Sequence, residues 1–334
     1  MGENHRMKKV LFLKNTEHLH DALHSMNIQR FTGKKTLVKL HMGEIGNKYF
    51  IKPDFIRRVV EELKKIDAHP FLFDTTVAYN SLRKTKKGYE KLAGIHGFTE
   101  KKIGCPIVIS DRGVSKTVEN RVFEVANELV DTTHVVVVSH VKGHIQTGMG
   151  GAIKNLGMGG VTRETKIMIH NGSKPVYYKD KCIFCGLCAE ICPFKAIKVD
   201  KKNWKRSEKK CFGCGLCVDV CENNALKHVD ANIQYLLALS AKACVEGKNV
   251  VYINVLKNIA RSCDCDPSAG PIICPDIGYL VSDDPVAIDK ASLDLINHVR
   301  KNVFEKTNKV DPYRQIKYGE DVGLGTSSYQ IVEL

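Results

Sequence analysis

The stretch His134-Val135-Val136-Val137-Val138-Ser139-His140-Val141 decides the fold. Four consecutive β-branched valines favour extended chain. An uninterrupted apolar run also suits a strand buried on both faces of a parallel sheet. Working outward, Lys9–Leu13, Thr36–His41, Phe71–Asp74, Pro106–Asp111 and Asn249–Leu256 read as further strands, and Tyr329–Leu334 as a possible last one. Helical patterns fall between them: Glu17–Met26, Asp54–Ile66 behind Pro53, Glu90–Gly94 with its neighbours, Glu119–Leu129, Ala231–Glu246 and Pro285–Arg300. Proline suits the first turn of a helix. Strands alternating with helices predict an α/β fold with a mostly parallel sheet and flanking helices.

The strand at 134–141 runs directly into SHVKGHIQTGMGGAIKNLGMGG (Ser139–Gly160), which holds two histidines, two lysines, an asparagine and seven glycines. Functional loops of α/β sheets lie at the carboxyl ends of strands. Glycine at this density means close backbone approach, which points to a bound ligand, cofactor or metal; the alternative is a glycine-rich turn with surface histidines. The candidates for chemistry are His140, Lys142, His144, Lys154 and Asn155. Gly148, Gly150, Gly151, Gly157 and Gly159 are the candidates for cofactor binding. His41 and Glu44 follow an earlier strand, so the same mouth should gather them with Asp74, Asp111, His140 and Cys263. A histidine and a carboxylate there suit proton transfer, or else a capping Glu and a solvent-facing His. Asp283-Asp284-Pro285 reads as an N-cap and first-turn proline, with Asp289 on the following turns able to face the mouth.

The α/β pattern breaks between Lys174 and Asp230, a Cys-, Lys- and Gly-rich segment that repeats internally. The expected organisation is an α/β domain formed by 7–173 and 231–334, with 174–230 inserted as a small α+β domain. Its two runs are Cys182-x2-Cys185-x2-Cys188-x3-Cys192-Pro193 and Cys211-x2-Cys214-x2-Cys217-x3-Cys221-Glu222. In this bacterial spacing the fourth cysteine of each run ligates the other cluster. Cys182, Cys185, Cys188 and Cys221 are therefore expected to hold one [4Fe–4S] cluster, and Cys211, Cys214, Cys217 and Cys192 a second. Gly186, Gly213 and Gly215 let the loops close on them. A zinc ribbon uses two CxxC pairs and serves eight cysteines poorly. The segment resembles two-cluster ferredoxins along its whole length, with Glu222 where proline is usual.

Composition bounds the rest. The chain has 334 residues, enough for about two domains, and 13 cysteines, an odd number that complete internal pairing cannot absorb. The first apolar run, Val10–Leu13, is too short for a secretory signal, which needs about 7–15 residues. Met1–Arg6 are expected to be leader residues, because Met7 also offers a start. No stretch approaches the ~18 apolar residues of a membrane span. A cytoplasmic location follows as an expectation, and reduced, clustered cysteines there mean metal. Lys+Arg 51 against Asp+Glu 37 gives +14, which invites a nucleic-acid reading. Against it, there is one Trp and no basic stripe interleaved with aromatics. Eight thiolates around two oxidised clusters bring about −4, so part of the basicity offsets the cofactors or suits an acidic redox partner.

Several further stretches carry a family resemblance: Lys39-Leu40-His41-Met42-Gly43-Glu44-Ile45-Gly46-Asn47, Asp74-Thr75-Thr76, the Ser139–Gly160 loop, Cys263-Asp264-Cys265-Asp266, Pro275-Asp276-Ile277-Gly278 and Asp283–Asp289. Together the chain resembles the domain of unknown function 362 family, in the variant with an inserted two-cluster ferredoxin. The resemblance covers nearly the whole chain and implies an α/β fold and an iron–sulfur protein, but no particular reaction. Cys263 and Cys265, with Cys274 nearby, form a second thiol group. Cysteines one residue apart on an extended chain point oppositely, but a curled loop would let them join His140 and His144 in a third metal site. A redox-active thiol pair and a structural pair are the other readings. Cys105 and Cys244 read as core residues. Three functions remain in view. The first is a redox protein or iron–sulfur oxidoreductase passing electrons through the clusters to or from a substrate, cofactor or metal in the mouth. The second is an electron carrier or assembly partner with an α/β docking scaffold. The third and least favoured is nucleic-acid binding.

Overall fold

A computed structural model describes residues 7–334; Met1–Arg6, read above as a leader, lie outside the described residues. One eight-stranded sheet forms the frame. Its strands in chain order are β1 (Lys8–Leu13), β2 (Lys35–Lys39), β3 (His69–Thr75), β4 (Ile107–Ser110), β5 (His134–His140), β6 (Asn249–Leu256), β7 (Gly278–Ser282) and β8 (Tyr329–Glu333). Their spatial order is β8-β1-β7-β6-β5-β2-β3-β4. All run the same way except β7, which is antiparallel to both β1 and β6. The sheet is thus mostly parallel, as the valine run predicts. All seven residues of β5 are buried. Val135 and Val137 pack on one face while Val136 and Val138 pack on the other.

The helices that matter here are α1 (Pro53–Lys65), α2 (Lys86–Ile95), α3 (Ala152–Gly159), α4 (Arg163–Gly172), α5 (Ile233–Val245) and α6 (Pro285–Val299). α1 and α2 bury Ile56, Val59, Val60, Leu63, Tyr89 and Leu92 against one face of the sheet. α3, α5 and α6 cover the other, where Ile153, Leu156, Leu236, Leu237, Ile288 and Leu293 form the larger core. α5 is apolar almost all round, as befits a helix with neighbours on every side. Cys105, Cys244 and Cys274 are buried, which agrees with the core reading of the first two.

One predicted helix is corrected. Within 119–129 the chain forms a strand, Arg121–Ala126, paired antiparallel with Gly113–Val118; only Asn127–Val130 is helical. Glu119 and Asn120, both at positive φ, make the two-residue turn that a right-twisted hairpin needs. Phe123 and Val125 are buried while Val122 and Glu124 are exposed, a period of two that outweighs the helical composition.

Residues 174–230 leave and re-enter the α/β frame at one point. Val229 N–H donates to the Lys174 carbonyl at 2.9 Å and Asp230 N–H to the Gly172 carbonyl at 2.8 Å. Short strands Pro175–Tyr177 and Leu226–His228 pair to close the segment. Inside it the repeat is geometric as well as sequential. Phe184 and Gly213, Gly186 and Gly215, and Lys195 and Asn224 occupy matching left-handed positions. Gly186 and Gly215 each begin a one-turn helix, Leu187–Glu190 and Leu216–Asp219.

Candidate functional site

The strand order reverses between β2 and β5: the chain steps outward through β3 and β4, then returns to the other side of β2. Ligands of open α/β sheets bind beyond the carboxyl ends of the strands at such a reversal. A cavity of about 620 Å³ lies there. That is within the roughly 300–1,000 Å³ range of small-molecule sites. Its walls come from the ends of β2, β3 and β5, from α3 and α4, from the Cys263–Cys265 loop, and from Phe194, Cys211 and Phe212 of the insert.

A buried ion network forms one wall. Lys39 donates to Asp74 Oδ1 at 2.9 Å and to Asn155 Oδ1 at 2.9 Å. Arg83 reaches Asp74 Oδ2 at 3.5 Å, and the Tyr89 hydroxyl donates to the same oxygen. Burial alone would raise the Asp74 pKa, but Lys39, Arg83, His41 and Lys166 hold it well below the usual carboxylate range. Lys166 donates to Thr75 Oγ1 at 2.5 Å and to the Thr76 carbonyl. Burial, with Arg83 and Lys39 beside it, brings its pKa down to about 7 despite the pull of Asp74. Asn155 also donates to the Val138 carbonyl and Ser139 Oγ, both at 3.0 Å. It therefore clamps β2 to β5.

The opposite wall is built on Asp264. His140 Nδ1 lies 2.8 Å from Asp264 Oδ1, and its Nε2 lies 2.8 Å from the Lys257 carbonyl. Both ring nitrogens face acceptors, so neither offers a lone pair to a metal. The expected ligand role for His140 is corrected on that ground. Lys142 donates to the His140 carbonyl at 2.8 Å and pairs with Asp264 Oδ2 at 3.2 Å. Burial opposes the Asp264 charge, but His140 and Lys142 outweigh it and keep its pKa far below the usual range. Asp264 is thus anchored from two sides, and it is the middle residue of Cys263-Asp264-Cys265. The loop curls around this anchor, and Cys263 and Cys265 are joined as a disulfide. Oppositely pointing cysteines are therefore not the geometry of this pair, and as it stands neither sulfur is a thiolate. His144 completes a trio with them, with ligand atoms within 4.8 Å of one another.

His144 and His41 are neutral, since burial and the nearby cations keep both pKa values well below the usual histidine value. The Gln146 N–H donates to His144 Nδ1 at 3.2 Å and the Gly43 N–H to His41 Nδ1 at 3.0 Å. A neutral ring accepting at Nδ1 carries its proton on Nε2. His41 thus offers an N–H donor, while His144 Nδ1 also lies 3.0 Å from Thr147 Oγ1, whose hydroxyl donates to the Met149 carbonyl at 2.8 Å. Lys154 also lines it, its pKa brought down to about 7 by burial and by Lys142.

Three expected mouth residues lie elsewhere. Glu44 is buried, but it accepts from Ser81 Oγ at 2.7 Å and Tyr79 OH at 3.2 Å and so pins the 79–83 loop. Asp111 accepts from the Arg163 N–H at 2.8 Å. Asp289 accepts from the Ala152 and Ile153 N–H groups at 2.7 and 3.0 Å, capping α3, and from Asn254 at 2.8 Å. Gly150, Gly151 and Gly159 line the cavity, while Gly148 and Gly157 do not. The close approaches at these glycines are made by protein. A Cβ would lie 2.6 Å from the Val310 carbonyl at Gly148, 2.3 Å from Asp289 at Gly151, 2.2 Å from the Leu237 carbonyl at Gly157 and 2.6 Å from Lys39 Nζ at Gly159.

Arg83, Lys166, His170 and Gln146 carry no local sequence signal for the cavity. Lys166 and His170 lie a turn apart on α4, which faces the mouth only through its packing. Gln146 ties the wall to the insert, donating to the Phe212 carbonyl at 2.7 Å.

The insert holds two small cages. One is lined by Cys182, Cys185, Cys188 and Cys221, the other by Cys192, Cys211, Cys214 and Cys217. This is the crossed grouping expected from the spacing. Among the described residues, the trio around His144 is the one group of three or more His, Cys, Asp or Glu ligand atoms within 4.8 Å of one another. The cage sulfurs are thus spread wider than a tetrahedral zinc with bonds of about 2.3 Å would hold them. The second cage is pressed on the α/β frame: a Cβ on Gly213 would sit 2.1 Å from the His170 carbonyl, where the matching position in the first cage is Phe184. The first cage faces outward, with Ile183 67% and Leu187 45% exposed.

The model of a family described as Domain of unknown function (DUF362) matches residues 36–294. No curated protein sequence matches the chain. Among solved structures, the lactate racemase apoprotein from Thermoanaerobacterium thermosaccharolyticum is similar at 12% identity and a TM-score of 0.44, over 90% of this chain and 59% of that one. A structural-genomics structure of a Thermotoga maritima protein is similar at 10% identity and a TM-score of 0.35, over 72% and 50%. The chain therefore spans little more than half the length of these two. Among the described residues, no helix is long and apolar enough to cross a membrane.

Proposed function

The chain belongs to the DUF362 family, and from that premise we propose that it is an iron–sulfur redox protein whose inserted unit serves a small molecule bound in the cavity of the α/β domain. The observation that carries this reading is the position of Cys211. With Phe194 and Phe212 it lines both the second cage and the cavity. Cys182, Cys185, Cys188 and Cys221 would hold one [4Fe–4S] cluster; Cys211, Cys214, Cys217 and Cys192 would hold the other. Bound there, the clusters would supply one-electron transfer between an outside partner and the cavity. The outward cage suits that partner: exposed Ile183 and Leu187 sit beside Lys179 and Lys181, a surface for an acidic protein with an apolar centre.

The chain's own residues do the rest. Phe194 and Phe212 give the ligand an apolar wall, Phe212 keeping about half its surface open to solvent. His41 presents an N–H donor, and Lys154 and Lys166, with pKa values brought down to about 7, can give or take a proton at working pH. A pure carrier on a docking scaffold has no need of a cavity this large, lined by so many buried polar groups. Iron, sulfide and EPR analysis of anaerobically prepared protein is the test. About eight irons and eight sulfides per chain are expected; zinc without iron or sulfide sinks the reading.

A further inference from the structure

We propose that the ligand of the cavity is an organic anion, with its acidic group against Lys154 and its apolar part against Phe194 and Phe212, beside Cys211. The inference rests on the reading above only in taking the cavity as the substrate site. It begins with which charges are matched. Lys39 and Arg83 share Asp74, Lys142 has Asp264, and Lys166 has Thr75 and Thr76. Lys154 alone among these five has no hydrogen bond or ion pair among the described residues. Lys174 lines the cavity too and pairs with Glu208 at 3.5 Å, and Arg83 also lies 4.0 Å from Glu44, so six cations share four carboxylates. Lys154 is half-buried, and an ammonium so placed with no partner favours an anion beside it or the loss of its proton. Clefts walled by low-dielectric surface and lined with one sign of charge concentrate the opposite ion.

The loop is shaped for this. A Cβ on Gly150 would lie 3.3 Å from Lys154 Cδ and 3.8 Å from Lys142 Cε. Glycine there clears the corridor in which the two stems run side by side. Lys142 is held by the His140 carbonyl and Asp264, and an anion beside Lys154 would offset the repulsion between the two ammonium groups. The N–H donor of His41 adds a neutral partner for an acid oxygen.

The remaining wall decides what kind of anion. Val77, Met158, Ile233 and Leu237, with the two phenylalanines, give the cavity a mainly apolar lining. An inorganic ion would leave that surface and most of the 620 Å³ to water. An organic acid fills it, as small-molecule sites are filled, with a few polar contacts fixing orientation. With the acid group at Lys154, the rest of the molecule is directed toward Phe212 and the cage behind it.

The test is calorimetric titration of the full-length, cluster-loaded chain at a pH below about 7, where Lys154 is charged. The probes are acetate, succinate and benzoate, each beside its neutral amide. At least one acid should bind saturably, with its amide about tenfold weaker or more, the loss of one charge-assisted contact. Lys154→Met should lose that preference, and Lys154→Arg should keep most of it. The idea is overturned if no acid binds at millimolar concentration, if acid and amide bind alike, or if Lys154→Met, folded by circular dichroism, binds like the unaltered protein. Iron and sulfide analysis of the same samples separates the two readings. Lys154-dependent binding without clusters removes the redox reading alone, and clusters without acid binding remove this one alone.

Discussion

Replacing Gly213 by alanine tests whether the second cage is seated on the α/β domain. Gly213 and Gly186 both lie in left-handed backbone, at φ +68° and +83°. An L-residue in that conformation costs about 1–2 kcal/mol. The surroundings differ. A Cβ at Gly186 meets nothing within 4 Å, but at Gly213 it would lie 2.1 Å from the His170 carbonyl. That is far inside van der Waals contact, and the obstacle is helix backbone, which cannot rotate aside. Forcing atoms into a packed interface adds about 1–3 kcal/mol. Gly186→Ala should therefore cost about 1–2 kcal/mol and Gly213→Ala about 2–5 kcal/mol. In a domain-sized unit one kcal/mol shifts the melting temperature by about 2–4 °C. The assay is anaerobic thermal unfolding followed by ellipticity and by cluster absorbance, with limited proteolysis at the 172–175 and 229–231 junctions. Gly213→Ala should melt several degrees below Gly186→Ala and be cut faster at the junctions. Equal melting and equal cutting would refute the docking, and with it the adjacency of Cys211 to the cavity in solution.

Two further outcomes follow from the cavity walls. Asp74 and Asp264 have folded pKa values below the unfolded ones, so the stability they confer is present above the unfolded carboxyl pKa near ~4 and lost as pH falls below it. Asp264→Asn should cost about 3–5 kcal/mol at neutral pH, the loss on breaking a buried pair, and flatten the acid limb of the stability curve. An unchanged acid limb would show that Asp264 carries no such charge interaction. Alkylation of the denatured, unreduced protein should leave Cys263 and Cys265 unlabelled, while prior reduction should add two labels on that peptide. Labelling without reduction would show the pair to be free thiols.

Much of the frame is legible because buried parallel strands leave a local mark. β5, β6 and α6 could be read from valine runs, apolar periodicity and an Asp-Pro helix start. β7 was passed over because its five buried residues sit between two turn-like stretches, Pro275–Ile277 and Asp283–Pro285. The hairpin at 113–126 was misread because a two-residue turn made of Glu and Asn resembles a helix start. At the site, the crossed cysteine grouping was visible because it is a matter of spacing alone. Arg83 and Lys166 were not, because each reaches the cavity by tertiary packing. The glycines were half legible: their density announces close approach, but the Leu237 carbonyl behind Gly157 and the Asp289 carboxylate behind Gly151 come from distant parts of the chain.

The insert departs from and returns to the frame across two neighbouring backbone hydrogen bonds, and this has a consequence for how the protein is governed. A unit held by such a narrow stalk keeps its place through the face it presses against α4, through Gln146 and through the Arg314–Asp219 pair at 2.7 Å. The same face, with Phe194, Phe212 and Cys211, is the cavity's outer wall. On the proposed reading, door and wire would be one object. An insert tilted on its stalk would admit water and ligand to the chamber and, in the same motion, lengthen the gap that electrons would cross. Filling the chamber and energising it would then be mechanically tied.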